Sequence, residues 1–293
     1  MNKLGIQIVL FLLSISVCVN TEPLATEPAP KKNTKSILKK FRKPKPKKHY
    51  PTPEEIYEKN KHLLCTNPEE IKNAEKLMND ALEGLKYHAT NKYGYNFFGA
   101  NYHYNTISYK KLYHDFTCVE KVEYTINDPN MYNKIINKLW NPDGKYFLYR
   151  GSVKRKIARV YTPNLVIIQQ RFKKRPWSRE KYFYALAAEF KISEDKTIIV
   201  MTSANINDHN SKNKKPFENT LIKSANLFKI DIDSEDDIRK GKLKKAIVNI
   251  AGYIIKKEDK CLDVTHVESI DRFVPNFLNR IILGAPKCFP PHK

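Results

Sequence analysis

The sequence predicts an α+β domain, and three observations carry that prediction. One long stretch, 68–88, has helical periodicity; a succession of segments between about 106 and 269 has period two; a single helical interval, 129–140, interrupts the latter. The first helix is well specified. Asn67 is a good N-cap, Pro68 suits the first turn, and Glu69 and Glu70 complement the helix dipole. Ile71, Ala74, Met78, Ala81 and Leu85 recur on one stripe, so this helix must pack against another layer.

The strand segments are rich in Tyr, Val, Ile and Thr. They are expected at 106–113, 117–126, 155–162, 164–173, 181–192, 196–204, 226–232, 244–257 and 261–269. Ser193-Glu194-Asp195-Lys196 reads as the turn of a hairpin between two of them. In the interval 129–140, Ile135, Ile136, Leu139 and Trp140 form the apolar side. A last amphipathic stretch, 274–284, starts at Val274-Pro275 and is stopped by Gly284 and Pro286. So many strands exceed what one helix can cover in a small flat sheet. A long curved sheet around a helix can instead enclose an apolar cavity, the usual setting for a ligand.

The flanks read differently. Residues 1–20 have the form of a signal peptide: Lys3 precedes the uncharged apolar run Leu4 to Val19, which at about fifteen residues is short for a membrane span. Residues 21–55 read as a disordered linker, broken by Pro23, Pro28, Pro30, Pro44, Pro46, Pro51 and Pro53. The domain is then expected over 56–288, with 289–293 as a tail.

The formal charge is +22, of which ten positive charges and no acid lie between Lys31 and Lys48. Lys39, Lys40, Arg42, Lys43, Lys47 and Lys48 are the expected membrane contacts, since each basic residue near an anionic leaflet contributes about 1 kcal/mol. A solvated tail that keeps the chain soluble is the alternative. Nucleic acid is not expected as a partner: only 10 of 53 basic residues are Arg, and no recognition motif is present.

Catalytic and cofactor signatures do not emerge. No G-x-x-x-x-G-K or G-x-G-x-x-G run occurs, nor H-E-x-x-H, Cys-x-x-Cys or G-x-S-x-G. No metal, cofactor or enzymatic activity is therefore expected. His114-Asp115 and Asp208-His209 are adjacent pairs, better read as surface turns. Removal of Cys18 with the leader leaves Cys65, Cys118, Cys261 and Cys288, which allow at most one structural bridge on this reading. In a strand, Tyr182 and Tyr184 share one face with Phe183 on the other. The pair is either ordinary packing or an aromatic wall for an apolar or quaternary-ammonium ligand.

Longer stretches carry a resemblance. They include Leu24-Ala-Thr-Glu-Pro-Ala-Pro30, the run Glu54 to Pro68, Tyr182-Phe-Tyr-Ala-Leu-Ala-Ala188, the run Thr197 to His209, and Ala251-Gly-Tyr-Ile-Ile-Lys256. The chain resembles the fam-a proteins of rodent malaria parasites, which contain a START-type lipid-transfer domain. Trp140-Asn141, Arg179 before the aromatic strand, Val264-Thr265, Asp271, Val274-Pro275 and Leu278-Asn279 are similar to the wider START pattern.

The resemblance implies a START-like helix-grip fold, a curved antiparallel sheet around a C-terminal helix that here is truncated to about eleven residues. It implies a secreted, monomeric protein that binds phospholipid, phosphatidylcholine above all, and transfers it between membranes. The setting it implies is the parasitophorous vacuole or host erythrocyte. Its lipid-binding residues would be Tyr182, Tyr184 and Trp140 with Arg150 and Arg159. The family's basic residue three before the tryptophan is Asn137 here, so Arg150, Arg155 or Arg159 would meet the phosphate. The competing reading is a host-membrane antigen or binding scaffold of the same fold without transfer activity.

Overall fold

A computed structural model describes residues 50–102, 105–113, 117–142, 152–173, 177–213 and 215–270. The leader, the basic arm from Lys39 to Lys48, the His114-Asp115 pair, Arg150, the stretch 274–284 and Cys288 lie outside them. The described residues belong to one compact unit that begins at Lys48.

The first helix, α1 (Pro53–Lys59), starts inside the segment read as linker. Pro53 is not a breaker there, because it occupies the first turn, where no N–H partner is needed. Thr52 and Glu55 complete a capping box: the Thr52 N–H donates to Glu55 Oε2 at 2.8 Å and the Glu55 N–H to Thr52 Oγ1 at 3.3 Å. Helix α2 (Pro68–Thr90) follows with the cap read from sequence, as Asn67 Oδ1 accepts from the N–H groups of Glu69 and Glu70. Its buried stripe is Ala74, Leu77, Met78, Ala81, Leu82, Leu85, His88 and Ala89.

Twelve strands follow among the described residues. Three, β1 (Asn96–Asn101), β2 (Thr106–Leu112) and β3 (Cys118–Ile126), form one meander. Helix α3 (Tyr132–Trp140), entered through a 3-10 turn at Pro129–Met131, leads to a second meander. That one comprises β4 (Ser152–Thr162), β5 (Leu165–Lys173), β6 (Lys181–Ser193) and β7 (Lys196–Thr202). A long connection carries β8 (Asn205–Asn207), β9 (Lys229–Asp231), the single turn α4 (Asp236–Arg239) and β10 (Lys244–Lys245). The hairpin β11 (Val248–Lys257) and β12 (Leu262–Ile270) closes the described chain.

The sheet order is β1-β2-β3-β12-β11-β7-β6-β5-β4, antiparallel along this path, with β10 pairing parallel to the start of β6. The last hairpin is therefore the seam: β12 pairs with β3 and β11 with β7, joining the two meanders. Strands β8 and β9 form a separate parallel pair.

Two strand expectations need correction. The segment 244–257 is not continuous, because Ala246 and Ile247 separate β10 from β11. The segment 226–232 starts in a 3-10 turn, Lys223–Asn226, and only Lys229–Asp231 is strand. Strand β1 escaped prediction because Asn96-Phe97-Phe98-Gly99-Ala100-Asn101 has no alternation, and a bulge between Phe97 and Gly99 shifts its register. Cys65, Cys118 and Cys261 are free thiols, so no bridge joins the described cysteines.

Each sheet face carries its own core. On one, α2 and the 203–246 connection cover Ile167, Leu186, Ile198, Val200 and Ile250. Fully burying a side chain such as Leu77 or Leu85 contributes about 1.5–3 kcal/mol. On the other, α1 and α3 supply Ile56, Tyr132, Ile136 and Trp140 against Ile168, Phe183, Ala185, Ala187, Ile199 and Met201. Tyr132 Oη and Thr197 Oγ1, 2.9 Å apart, anchor α3 to β7.

Candidate functional site

Strand parity decides which residues can share a site. Tyr182 and Tyr184 lie in the α2-side core, and Phe183 lies in the α3-side core with Trp140. The expected grouping of Tyr182, Tyr184 and Trp140 is thus split by the thickness of the sheet. The two tyrosines are committed elsewhere. Tyr182 Oη donates to Asp208 Oδ2 at 2.9 Å and accepts from Asn210 Nδ2 at 2.8 Å, while Lys245 Nζ stands 2.8 Å from the same Asp208 oxygen. Burial first, and then the Asp208 charge, pushes the Tyr182 phenol well above its usual range. Tyr184 Oη is 3.0 Å from Ser234 Oγ and accepts from Gln169 Nε2 at 2.6 Å. These bonds pin the 203–246 connection onto the sheet.

The arginines separate in the same way. Arg159 is half-buried and donates to Glu70 Oε1 at 2.6 Å and to the Asp231 carbonyl at 2.8 Å. Tyr161 Oη donates to the same Glu70 oxygen at 2.7 Å. Arg159 therefore ties β4 to the first turn of α2, on the face opposite Trp140. Arg150 lies outside the described residues. Arg155 is the arginine that meets the α3 side: its Nε and Nη2 donate to Gln170 Oε1 at 3.1 and 2.8 Å, which fixes the guanidinium at the edge of an apolar chamber.

That chamber lies between α1, α3 and the sheet. Its walls include Ile56, Trp140, Ile157, Ile168, Ala187 and Met201, and its volume is about 20 Å³, room for one water molecule. A second pocket of about 400 Å³ shares Ile56, Pro142, Arg155 and Ile157 with it and adds Glu55, Lys59, His62 and Asn141. The second is of ligand size; the first is a small, partly open, mainly apolar recess that adjoins it.

Trp140 gives the site its polarity. The residue is 7% exposed, and its indole N–H has no hydrogen-bond partner among the described residues. An unsatisfied buried donor costs about 1–3 kcal/mol, which an oxygen of a ligand would recover. The same face carries Glu189, two residues beyond Ala187, whose Oε2 likewise has no partner among the described residues; burial, and then Glu54, raises this carboxyl to about 7.

Trp140 and Arg155 are legible in the sequence, but their neighbours in the site are not. The signal for the floor was present in the alternation of β6, where Phe183, Ala185 and Ala187 oppose the two tyrosines, and where alanines leave room against the sheet. No group of three or more His, Cys, Asp or Glu residues suited to a metal occurs among the described residues, and no described helix is long and apolar enough to cross a membrane.

No protein-family model and no curated protein sequence matches the chain. Solved structures are similar in arrangement. Human StAR-related lipid transfer protein 5 aligns over 72% of this chain and 93% of its own, with 9% identity and a TM-score of 0.49. Human STARD10 aligns over 69% and 73%, with 12% identity and a TM-score of 0.43. A STAR-related lipid transfer protein from Xanthomonas axonopodis aligns over 65% and 90%, with 10% identity and a TM-score of 0.40.

Proposed function

We propose that this domain binds one phospholipid and moves it between membranes, without catalysis. The observation that carries the reading is that a buried Trp140 N–H, without a partner among the described residues, and the Arg155 guanidinium line the same apolar chamber. Phosphate or ester oxygens would meet Arg155 and Trp140, and an acyl chain would enter against Ile168, Ala187 and Met201. The resemblance in sequence to START-type domains points to the same chemistry. The further reading, of a secreted fam-a protein that acts at the parasitophorous vacuole or host erythrocyte and approaches membranes with its basic arm, rests on that resemblance. So does phosphatidylcholine; the Tyr182–Tyr184 pair lends choline no support.

One observation favours the second reading, a scaffold that binds without transfer. The smaller chamber holds about 20 Å³, far below the volume of an acyl chain, so its walls must move for a lipid to enter. Incubating the purified full chain with vesicles of labelled phospholipid and reading transfer to acceptor vesicles separates the two. Transfer faster than the protein-free control supports the first reading; stoichiometric binding with no acceleration supports the second.

A further inference from the structure

Seven of the ten large apolar side chains that stand exposed among the described residues fall between Tyr87 and Leu112. They belong to the end of α2, the following turn, the first two strands and, for Tyr102, the residue just after β1, at the edge of the sheet order. Tyr93 is 86% exposed, Tyr102 90%, Phe97 67% and Phe98 48%. The bulge between Phe97 and Gly99 explains how one short strand shows two adjacent rings. Phe97 stacks edge-on against Tyr109, and Phe98 lies under the Lys110 ammonium at 3.7 Å.

From Gly84 to Tyr113 the sequence holds Lys86, Lys92, Lys110 and Lys111 and no Asp or Glu. Lys86 and Lys110 are paired, with Glu83 at 2.8 Å and Glu120 at 3.0 Å, so the charge this edge offers comes from Lys92 and Lys111. Lys111 stands over the rings of Tyr87, Tyr95 and Tyr113 at 5.1–5.9 Å, so its charge is held at the surface by aromatic faces. No Arg occurs between Arg42 and Arg150, which argues against a nucleic-acid reader. A second copy of this edge, or the basic arm, would bring like charge.

We propose that the β1–β2 edge, with Tyr93, Phe97 and Phe98 flanked by Lys92 and Lys111, is a docking surface for an anionic lipid membrane. Tyr and Phe rings settle at the headgroup level and the lysines meet anionic headgroups. Among the described residues no strand pairs with the outer side of β1, which limits the depth to the interface rather than the hydrocarbon. This surface is separate from the Trp140 pocket, and docking does not rest on that pocket being filled.

The test is flotation of the full chain with vesicles of phosphatidylcholine alone or with about a third phosphatidylserine, at low and at physiological salt. Tyr93→Ser/Phe97→Ser should weaken binding to the anionic vesicles about tenfold. Lys92→Gln/Lys111→Gln should weaken it about fivefold per lysine, with the melting temperature held. Trp177→Ser, an equally exposed aromatic elsewhere, should leave it unchanged. Should the aromatic pair fail to fold, the lysine pair still decides. Wild-type binding by both edge variants, equal binding to neutral vesicles, or edge-dependent binding of RNA in place of vesicles would each overturn the proposal. Native mass spectrometry of the same samples reads pocket occupancy separately, so loss of docking and loss of ligand are distinguishable.

Discussion

Glu268 on β12 lies directly across the strand pair from Glu120 on β3, on the face that carries Ala251 and Met201. Lys110 Nζ stands 3.0 Å from the Glu120 carboxylate. Burial, and then the Glu120 charge, raises the Glu268 carboxyl to about 8. His266, 3.9 Å away, is lowered to about 4 by burial, so the two are a neutral acid beside a neutral imidazole at pH 6.

The pH dependence follows from these directions. Raised carboxyls, Glu268 to about 8 and Glu189 to about 7, contribute stability that is complete below pH 4.5 and lost as pH rises through those values. Lowered imidazoles, His266 and His88 at about 4, contribute stability that is present above pH 6.5 and lost as pH falls through 4. The two trends oppose one another between about 4.5 and 6.5, so thermal stability should plateau there and fall on either side. Glu268→Gln should flatten the alkaline side of the melting profile; a decline between pH 6.5 and 8.5 as steep as wild type would refute the assignment.

Arg159→Ala should cost stability without emptying the pocket. It leaves Glu70 and Tyr161 Oη, mutually bonded, without their cation, at a cost of about 2–4 kcal/mol. Chemical denaturation measures the loss, and bound phospholipid should remain at the wild-type level.

Tyr182→Phe should behave likewise. It removes the hydroxyl that links Asp208 and Asn210, costing about 1–3 kcal/mol, while the Lys245–Asp208 pair persists. A fall in lipid occupancy larger than the loss of folded protein would restore the tyrosine to the ligand site.

Gly252→Ala tests the contact between α2 and the seam. A Cβ at Gly252 would meet Leu85 Cδ2 at 2.9 Å and run into the Ile199 carbonyl, so overpacking should cost about 1–3 kcal/mol or more. An unchanged midpoint in urea would show that α2 and β11 are not so closely apposed.

The α2 helix, strands β2 to β7 and the bulk of β11 and β12 were legible from periodicity, because each buries a strong apolar pattern. Strand β1 and the 203–246 connection were not. Phe97 and Phe98 are adjacent and exposed, so no alternation marks them, and the connection is organised by single side chains such as Asn219. That residue is fully buried and donates to Thr202 Oγ1, Ser203 O and Asn249 O while accepting from the Leu221 and Ile222 N–H groups. Periodicity carries no trace of such a hub. At the site, sequence placed Trp140 at a helix end and named Arg155 among three arginines. Choosing between Arg155 and Arg159 required the bulge between Ile157 and Arg159, which breaks simple parity along β4. The hydrogen bond from Tyr182 Oη to Asp208 was not legible, because an aromatic on a strand looks alike whether it faces a ligand or a buried aspartate.

Arg155 and Trp140, not Arg159 or the tyrosines, are proposed to meet a bound phospholipid. Native mass spectrometry of the full chain after equilibration with phospholipid vesicles tests this most directly. One phospholipid per wild-type chain is expected, retained in Arg159→Ala and lost by about tenfold in Arg155→Ala with folding intact. An empty wild-type chain, or occupancy that survives Arg155→Ala and falls with Arg159→Ala, would contradict it.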